Sequence, residues 1–188
     1  MKFLVLDFSS ILVDDICTMI TDIDHQAIKV DSQISIEDIL AYRPDGIVLS
    51  GSSDTVYDNG RKIDKKIYDL NIPILGICYG MQLTNYLLGG EVKKSLTPEL
   101  NQQVTVTSKS SPLFANMPME FDMFMLHHDE VVRLANGFEN IASTVNCKNA
   151  ACQNLEKKIF CTQFHPEKKD NEYGKQLFMN FVNICKEK

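Results

Sequence analysis

Between Phe3 and Gly90 the sequence alternates short apolar runs with segments whose apolar residues recur every three or four positions, and no other feature narrows the fold as much. Phe3 to Phe8 reads as a strand, and Leu12, Ile16, Met19, Ile20 and Ile23 mark the inner face of a helix after it. Ile28 to Val30 reads as a second strand. Ser35-Ile36-Glu37-Asp38 resembles a capping box that opens a short helix with Ile36, Ile39 and Leu40 inward. Gly46 to Ser50 is a third strand, Ile63, Ile67 and Leu70 predict a helix, and after Pro73 the run Ile74 to Ile77 is a buried strand leading into Cys78. Strands that alternate with helices imply a parallel sheet with right-handed crossovers.

Beyond Gly89-Gly90 the pattern changes to short runs at 104–107, 121–126, 131–134, 141–144, 150–153 and 159–163, which predict strands of mixed or antiparallel pairing. Leu177, Phe178, Phe181, Val182 and Cys185 then share one face of a closing amphipathic helix. The expected fold class is α/β, with a mostly parallel central sheet, flanking helices and a smaller antiparallel section. A chain of 188 residues can bury its own core, so one domain over 1–188 is expected, without disulfides or metals as staples.

The formal net charge is −6 and no stretch concentrates Lys and Arg, which argues against nucleic acid as a partner. The apolar run near Met1 is too short for a secretory core and no segment could span a bilayer, so the reading is a soluble cytoplasmic protein, not bound to membrane. The six cysteines lack a C-x-x-C spacing, and five of them fit reduced, mostly buried small hydrophobes.

Cys78 is the exception. Gly76-Ile77-Cys78-Tyr79-Gly80 sits between an apolar strand and a helical segment, where a sharp turn raises the thiol at the top of the sheet and flanking glycines remove clashes. The adjoining helix N-terminus favours negative charge there, and the Tyr79 amide points where an oxyanion would develop. Taken alone, the pattern equally fits a buried thiol between two packing glycines. A second constellation, Gln163-Phe164-His165-Pro166-Glu167, follows the last predicted strand. Residues two apart lie on one side of an extended segment, so His165 and Glu167 can converge as a base and its orienter. Such a pair alone is commonly an exposed turn; its occurrence beside an elbow cysteine is what points to acyl transfer. His127, His128, Asp129, His165 and Glu167 are also metal-ligand types, but their spacing matches no zinc motif, and neither a metal nor a cofactor is expected. Ser50-Gly51-Ser52-Ser53-Asp54 faintly resembles the phosphate loop of ATP pyrophosphatases, yet position 52 lacks the glycine and Thr55 replaces the last serine.

Together these residues resemble the class I, or triad, glutamine amidotransferases, and within them the amidotransferase part of GMP synthetases. The resemblance runs through Leu4-Val5-Leu6-Asp7-Phe8, Ile47-Val48-Leu49-Ser50-Gly51, Leu75 to Gln82, Gly137-Phe138 to Thr144, Asn149-Ala150-Ala151, Gln163 to Glu167, and Glu172-Tyr173-Gly174. It implies a flavodoxin-like fold and a Cys78, His165, Glu167 triad. It also implies an oxyanion hole at Ser52 and Tyr79, and glutamine held near Gly51 and Gln82. The reaction implied is glutamine hydrolysis through a γ-glutamyl thioester, with ammonia passed to a separate synthetase of the ATP pyrophosphatase type.

Departures are concentrated around those residues. Ser9-Ser10-Ile11 stands where the family usually has Gly-Ser-Gln, and Ser52-Ser53 where it has Gly-Pro. Likewise Glu99-Leu100-Asn101 replaces Glu-Tyr-Gly, and Leu126-His127-His128-Asp129 replaces Ser-His-Gly-Asp. A β-carbon disfavours a left-handed backbone by about 1 to 2 kcal/mol. If the hole needs φ > 0 at Ser52, it should be unformed in the free chain and completed by a partner, and Ser52→Gly should raise basal activity. A catalytically weakened glutamine-binding regulatory protein, another acyl-transfer enzyme of the same fold, and a glutaminase serving a different acceptor remain the competing readings.

Overall fold

A computed structural model describes residues 1–58 and 60–187. In chain order its elements are β1 (Lys2–Asp7), α1 (Val13–Thr21), β2 (Gln26–Asp31), α2 (Ile36–Tyr42), β3 (Gly46–Leu49), β4 (Ile74–Ile77), α3 (Tyr79–Leu87), β5 (Glu91–Lys94), β6 (Leu100–Ser108), β7 (Glu120–Leu126), β8 (Asp129–Arg133), β9 (Glu139–Ser143), β10 (Ala151–Asn154), β11 (Ile159–Thr162) and α4 (Gly174–Lys186). One nine-stranded sheet has the order β2-β1-β3-β4-β11-β10-β9-β6-β7. Its first five strands are mutually parallel, and from β11 outward every pairing is antiparallel. This is the expected α/β arrangement, a parallel centre flanked by helices with an antiparallel extension.

The central strands are apolar on both faces because both are covered. Phe3, Val5, Val48, Leu75 and Ile77 join one core with residues of α1 and α4, including Ile16, Phe178 and Phe181. Leu4, Leu6, Ile47, Leu49 and Ile74 face the other way and pack with Ile39 of α2 and Met81 and Leu83 of α3. The strands β3, β4 and β11 end side by side, and each chain segment leaves its strand on the same edge. In open α/β sheets that edge is where ligands bind.

Two local expectations need correction, and the antiparallel strands add detail. The segment around Ile63, Ile67 and Leu70 forms only a 3₁₀ turn at Lys65–Asp69, with Ile67 N–H donating to Asp64 and Leu70 N–H to Ile67. The three-residue spacing of 64, 67 and 70 suits that tighter winding. Ser35 does cap α2, accepting from the Asp38 amide, but Leu40 is 51 % exposed and Ile39 alone is fully buried. The run at 131–134 does not join the main sheet; β8 pairs with β5, a strand the apolar pattern does not reveal, because Glu91-Val92-Lys93-Lys94 offers only one buried residue. The other antiparallel strands extend the parallel sheet itself.

Candidate active site

Cys78 caps α3 at the end of β4 with φ 52° and ψ −104°. A residue with a β-carbon rarely adopts such a backbone, and the cost is held by the surroundings. Those surroundings are unusually close: a β-carbon on Gly76 would lie 2.9 Å from the Gly80 carbonyl carbon, and one on Gly80 would lie 2.5 Å from the Leu49 carbonyl oxygen. The two glycines thus let α3 press onto β3 and β4. The Cys78 amide donates to the Thr162 carbonyl at 2.7 Å, tying the elbow to β11 as well. Cys78 is only 5 % exposed, reached through a pocket rather than raised into open solvent. The remaining cysteines are also reduced; Cys147, Cys152, Cys161 and Cys185 are buried and Cys17 is half-buried.

Beyond β11 the chain carries His165 and Glu167 into the same region. The His165 Nδ1 to Glu167 Oε1 distance is 2.8 Å, and both side chains are buried. The backbone of His165 is fixed from both sides: its amide donates to the Phe124 carbonyl at 2.9 Å, and its carbonyl accepts from Asn171 Nδ2 at 2.6 Å. Asn171 Oδ1 in turn accepts from the Phe124 amide, which ties this segment to β7. The other imidazole nitrogen, Nε2, is buried without a hydrogen-bond partner, as is Glu167 Oε2. Burial opposes a charged His165 more than any other single influence. The Glu167 carboxylate and the Cys78 sulfur together outweigh it and hold the ring well above its ordinary pKa.

A pocket of about 240 Å³ opens over these groups, and Ser9, Ile11, Ser52, Asp54, Gln82 and Asp129 are among the residues that line it. Gly51 passes beside the nucleophile, for a β-carbon there would be 3.7 Å from Cys78 Cβ and 3.2 Å from His165 Cε1. Tyr79 is the first residue of α3, where an amide has no acceptor within its own helix. Ser52 lines the pocket without a left-handed backbone in the free chain, the conformation expected there before a partner docks. The left-handed residues lie elsewhere. Ser9 has φ 65° and Asn101 has φ 53°, both at positions where the family resemblance leads to the expectation of glycine. Asparagine tolerates that region better than most residues, serine less so.

Several contacts at this site carry no signal in the sequence pattern. Gln163 Nε2 donates to Cys78 Sγ at 3.5 Å, and Sγ lies 3.6 Å from the Leu126 carbonyl. The Tyr79 hydroxyl donates to the Arg61 carbonyl at 2.6 Å, the Arg61 amide donates to Asp54 Oδ2, and the Asp54 amide to Ser52 Oγ. This chain of bonds ties the loop after β3 to the elbow helix. Burial, and then the nearby Asp54 carboxylate, push the Tyr79 hydroxyl up to about 12, so it remains a donor at neutral pH. Gln163 was nonetheless within reach of pattern reasoning, since the alternation that aligns 165 with 167 aligns 163 with them. Bonds to Leu126 and Arg61 involve only backbone carbonyls, which no residue type announces.

His127 and Asp129, metal-ligand types by sequence, form part of the pocket wall. Glu99, His127 and Cys147 are the one group of ligand-type side chains close enough to share an ion among the described residues. The polar atoms of His127 and Glu99 already have partners. The Asp129 carbonyl can only accept, so His127 Nδ1 donates to it at 3.1 Å, and Nε2 lies 3.2 Å from Glu99 Oε2. Thr144 Oγ1 donates to the other carboxylate oxygen at 2.7 Å. This is a satisfied buried network supporting the pocket wall.

Comparison with known proteins agrees with this architecture. The family described as glutamine amidotransferase class-I matches residues 4–185. A GMP synthase (glutamine-hydrolyzing) from Staphylococcus aureus is 43 % identical over 184 residues, covering 97 % of this chain but 36 % of the relative, so the chain spans about a third of the length of the curated relatives it matches. Among solved structures, a Thermoplasma acidophilum protein provisionally described as one of the subunits of a GMP synthase superposes with a TM-score of 0.89 at 29 % identity, covering 99 % of this chain and 94 % of the other. A glutamine amidotransferase from Thermotoga maritima shares the fold, with a TM-score of 0.77 at 17 % identity over 100 % of this chain and 98 % of that one. With its cysteine elbow, its neighbouring histidine and glutamate, and a family match from the first strand to the last helix, the chain belongs to the class I glutamine amidotransferases.

Proposed function

We propose that the chain hydrolyses glutamine to glutamate and ammonia at Cys78 as a single glutaminase domain over 1–188, and that the ammonia passes to a separate synthetase of the ATP pyrophosphatase type, as in a GMP synthase. The observation that carries this reading is the meeting of a strained elbow cysteine with a buried histidine–glutamate pair in one pocket. The thiol proton moves to His165 Nε2, and the thiolate attacks the side-chain amide carbon of glutamine. Amides of Ser52 and Tyr79 stabilise the resulting oxyanion. His165 then returns the proton to the amide nitrogen, which leaves as ammonia, and a γ-glutamyl thioester remains. Water attacks that thioester with His165 again taking a proton, releasing glutamate and restoring the thiol. Glu167 orients the ring and favours its charged form throughout. Gln82 and Gly51 border the substrate, and Asp129, a buried carboxylate in the wall, suits the α-ammonium group. The protein works in the cytoplasm in this reading.

The test is glutamate release by the wild type and by Cys78→Ala, with and without an ATP pyrophosphatase partner. Wild-type release lost in Cys78→Ala, by roughly a million-fold to background, is the expected result. Release that survives the substitution would overturn the mechanism. A second reading, a glutamine-binding regulatory protein with weak turnover, draws on Ile11, which is 88 % exposed at the pocket, and on the altered Ser9 and Ser52 positions. It predicts glutamine binding with little glutamate release even beside a partner.

A further inference from the structure

We infer that Gln163 is a catalytic residue whose side-chain amide holds the Cys78 sulfur and favours its thiolate form. The inference deepens the proposed glutaminase and rests on that reading for its role in turnover, but its geometry stands independently. Gln163 is fully buried, and its Nε2 is 3.5 Å from Cys78 Sγ.

The orientation of the carboxamide is fixed by a backbone atom at the far end of a relay. The Asp129 carbonyl can only accept, so the Gln82 atom 2.8 Å from it is the nitrogen Nε2. That nitrogen has a second hydrogen, directed at Gln163 3.1 Å away, so the atom of Gln163 it meets is the oxygen Oε1. The nitrogen of Gln163 is therefore left to face the sulfur. Side-chain amides are otherwise ambiguous in direction, and here the ambiguity is removed by the chain Asp129 carbonyl, Gln82, Gln163, Cys78. A donor that cannot turn away stabilises an anion more than a neutral thiol, because hydrogen bonds to charged atoms are the stronger ones. Gln82 thus has a second task beside bordering the substrate. It keeps the donor aimed.

The probe is iodoacetamide, with alkylation of Cys78 followed by peptide mass spectrometry at pH 7 and at pH 9. Gln163→Met keeps volume without a donor, and Gln163→Glu keeps an acceptor for Gln82 while placing a carboxylate against the sulfur. Alkylation at pH 7 should slow about ten-fold in Gln163→Met and more in Gln163→Glu. Much of the loss should be recovered at pH 9, because the missing quantity is thiolate. The other titratable groups facing this region, His165 and Glu167 after β11, His127 and His128 between β7 and β8, Asp129 at the start of β8, Asp54 after β3, and Cys147 after β9, are unchanged in both variants. A purely structural role would slow the reaction equally at both pH values. Gln82→Leu, which releases the Gln163 amide, should produce a smaller loss of the same form. Wild-type alkylation in both Gln163 variants, with unaltered melting, would overturn the inference, as would a loss that does not depend on pH. Alkylation needs no glutamine turnover, so slowed alkylation in a chain that releases no glutamate would sink the proposed function and leave Gln163 its role. Normal alkylation beside lost glutamate release in the Gln163 variants would do the reverse.

Discussion

The two walls of the pocket are built on different principles. On the elbow side, Cys78, Gln163, His165 and Glu167 are buried, and the amides of His165, Cys78 and Gln163 donate to the carbonyls of Phe124 in β7, Thr162 in β11 and Ala150, the residue before β10. On the opposite side, the loop after β3 exposes Ser53 and Asp54, and its hold on the elbow runs through the Tyr79 hydroxyl. Departures from the pattern of the resembled family are absent from Cys78, His165 and Glu167; two lie on the second wall, at Ser52-Ser53 and Ser9-Ser10-Ile11, and the others at 99–101 and 126–129. Backbone ties are concentrated on the groups proposed to exchange protons and on Tyr79, whereas Ser52, the other proposed oxyanion donor, rests on a more exposed wall.

The strongest break in that comparison is at the rigid wall. His165→Ala should lower glutamate release by roughly 10⁶-fold, close to the loss of the nucleophile, because the two act as a unit. Glu167→Gln should cost about 10⁴-fold, since an orienter is not consumed. The same pair has a signature in stability. His165 is held above its ordinary value of 6.5, so its charged form stabilises the fold fully below that pH and the contribution is lost as pH rises through the raised value. Wild-type melting should accordingly fall on the alkaline side of pH 6.5 more than that of Glu167→Gln. Equal slopes would remove the carboxylate from its assigned role.

Smaller effects belong to the movable wall. Tyr79→Phe leaves the Arg61 carbonyl without its donor and should reduce kcat/KM about ten-fold, with faster proteolysis between 52 and 61 and a nearly unchanged Cys78 alkylation rate. Loss of alkylation as well would mean that the two walls are not separable. Ser52→Gly should do least. Glycine relieves no strain in the backbone that Ser52 has in the free chain, and loss of the Ser52 Oγ bond to the Asp54 amide should slow that chain only a few-fold. A faster free chain would restore the expectation formed from sequence, that a β-carbon at 52 is the restraint.

Pattern alone located the sheet's parallel centre, because β1, β3 and β4 are buried on both faces and leave uninterrupted apolar runs. It also brought out Cys78, His165 and Glu167, whose chemistry depends on residue type and short spacing. It failed where type carries no signal: β5 is a strand through pairing with β8, not through its own composition. The 60–70 segment likewise follows its tie to Tyr79 and a three-residue repeat rather than a full helical period. At Ser9 and Asn101 the backbone is left-handed although neither residue is glycine, a conformation that residue type alone does not announce.

The strained backbone of Cys78 bears on natural selection. Holding a side chain at φ 52° and ψ −104° costs about 1 to 3 kcal/mol that glycine avoids, which in a chain of this size is worth roughly 2 to 10 °C of melting temperature. A lineage that kept this chain only for docking would gain stability by letting position 78 drift to glycine. The cysteine stands at a position where the backbone opposes it, a cost that a chain used only for docking would carry without return.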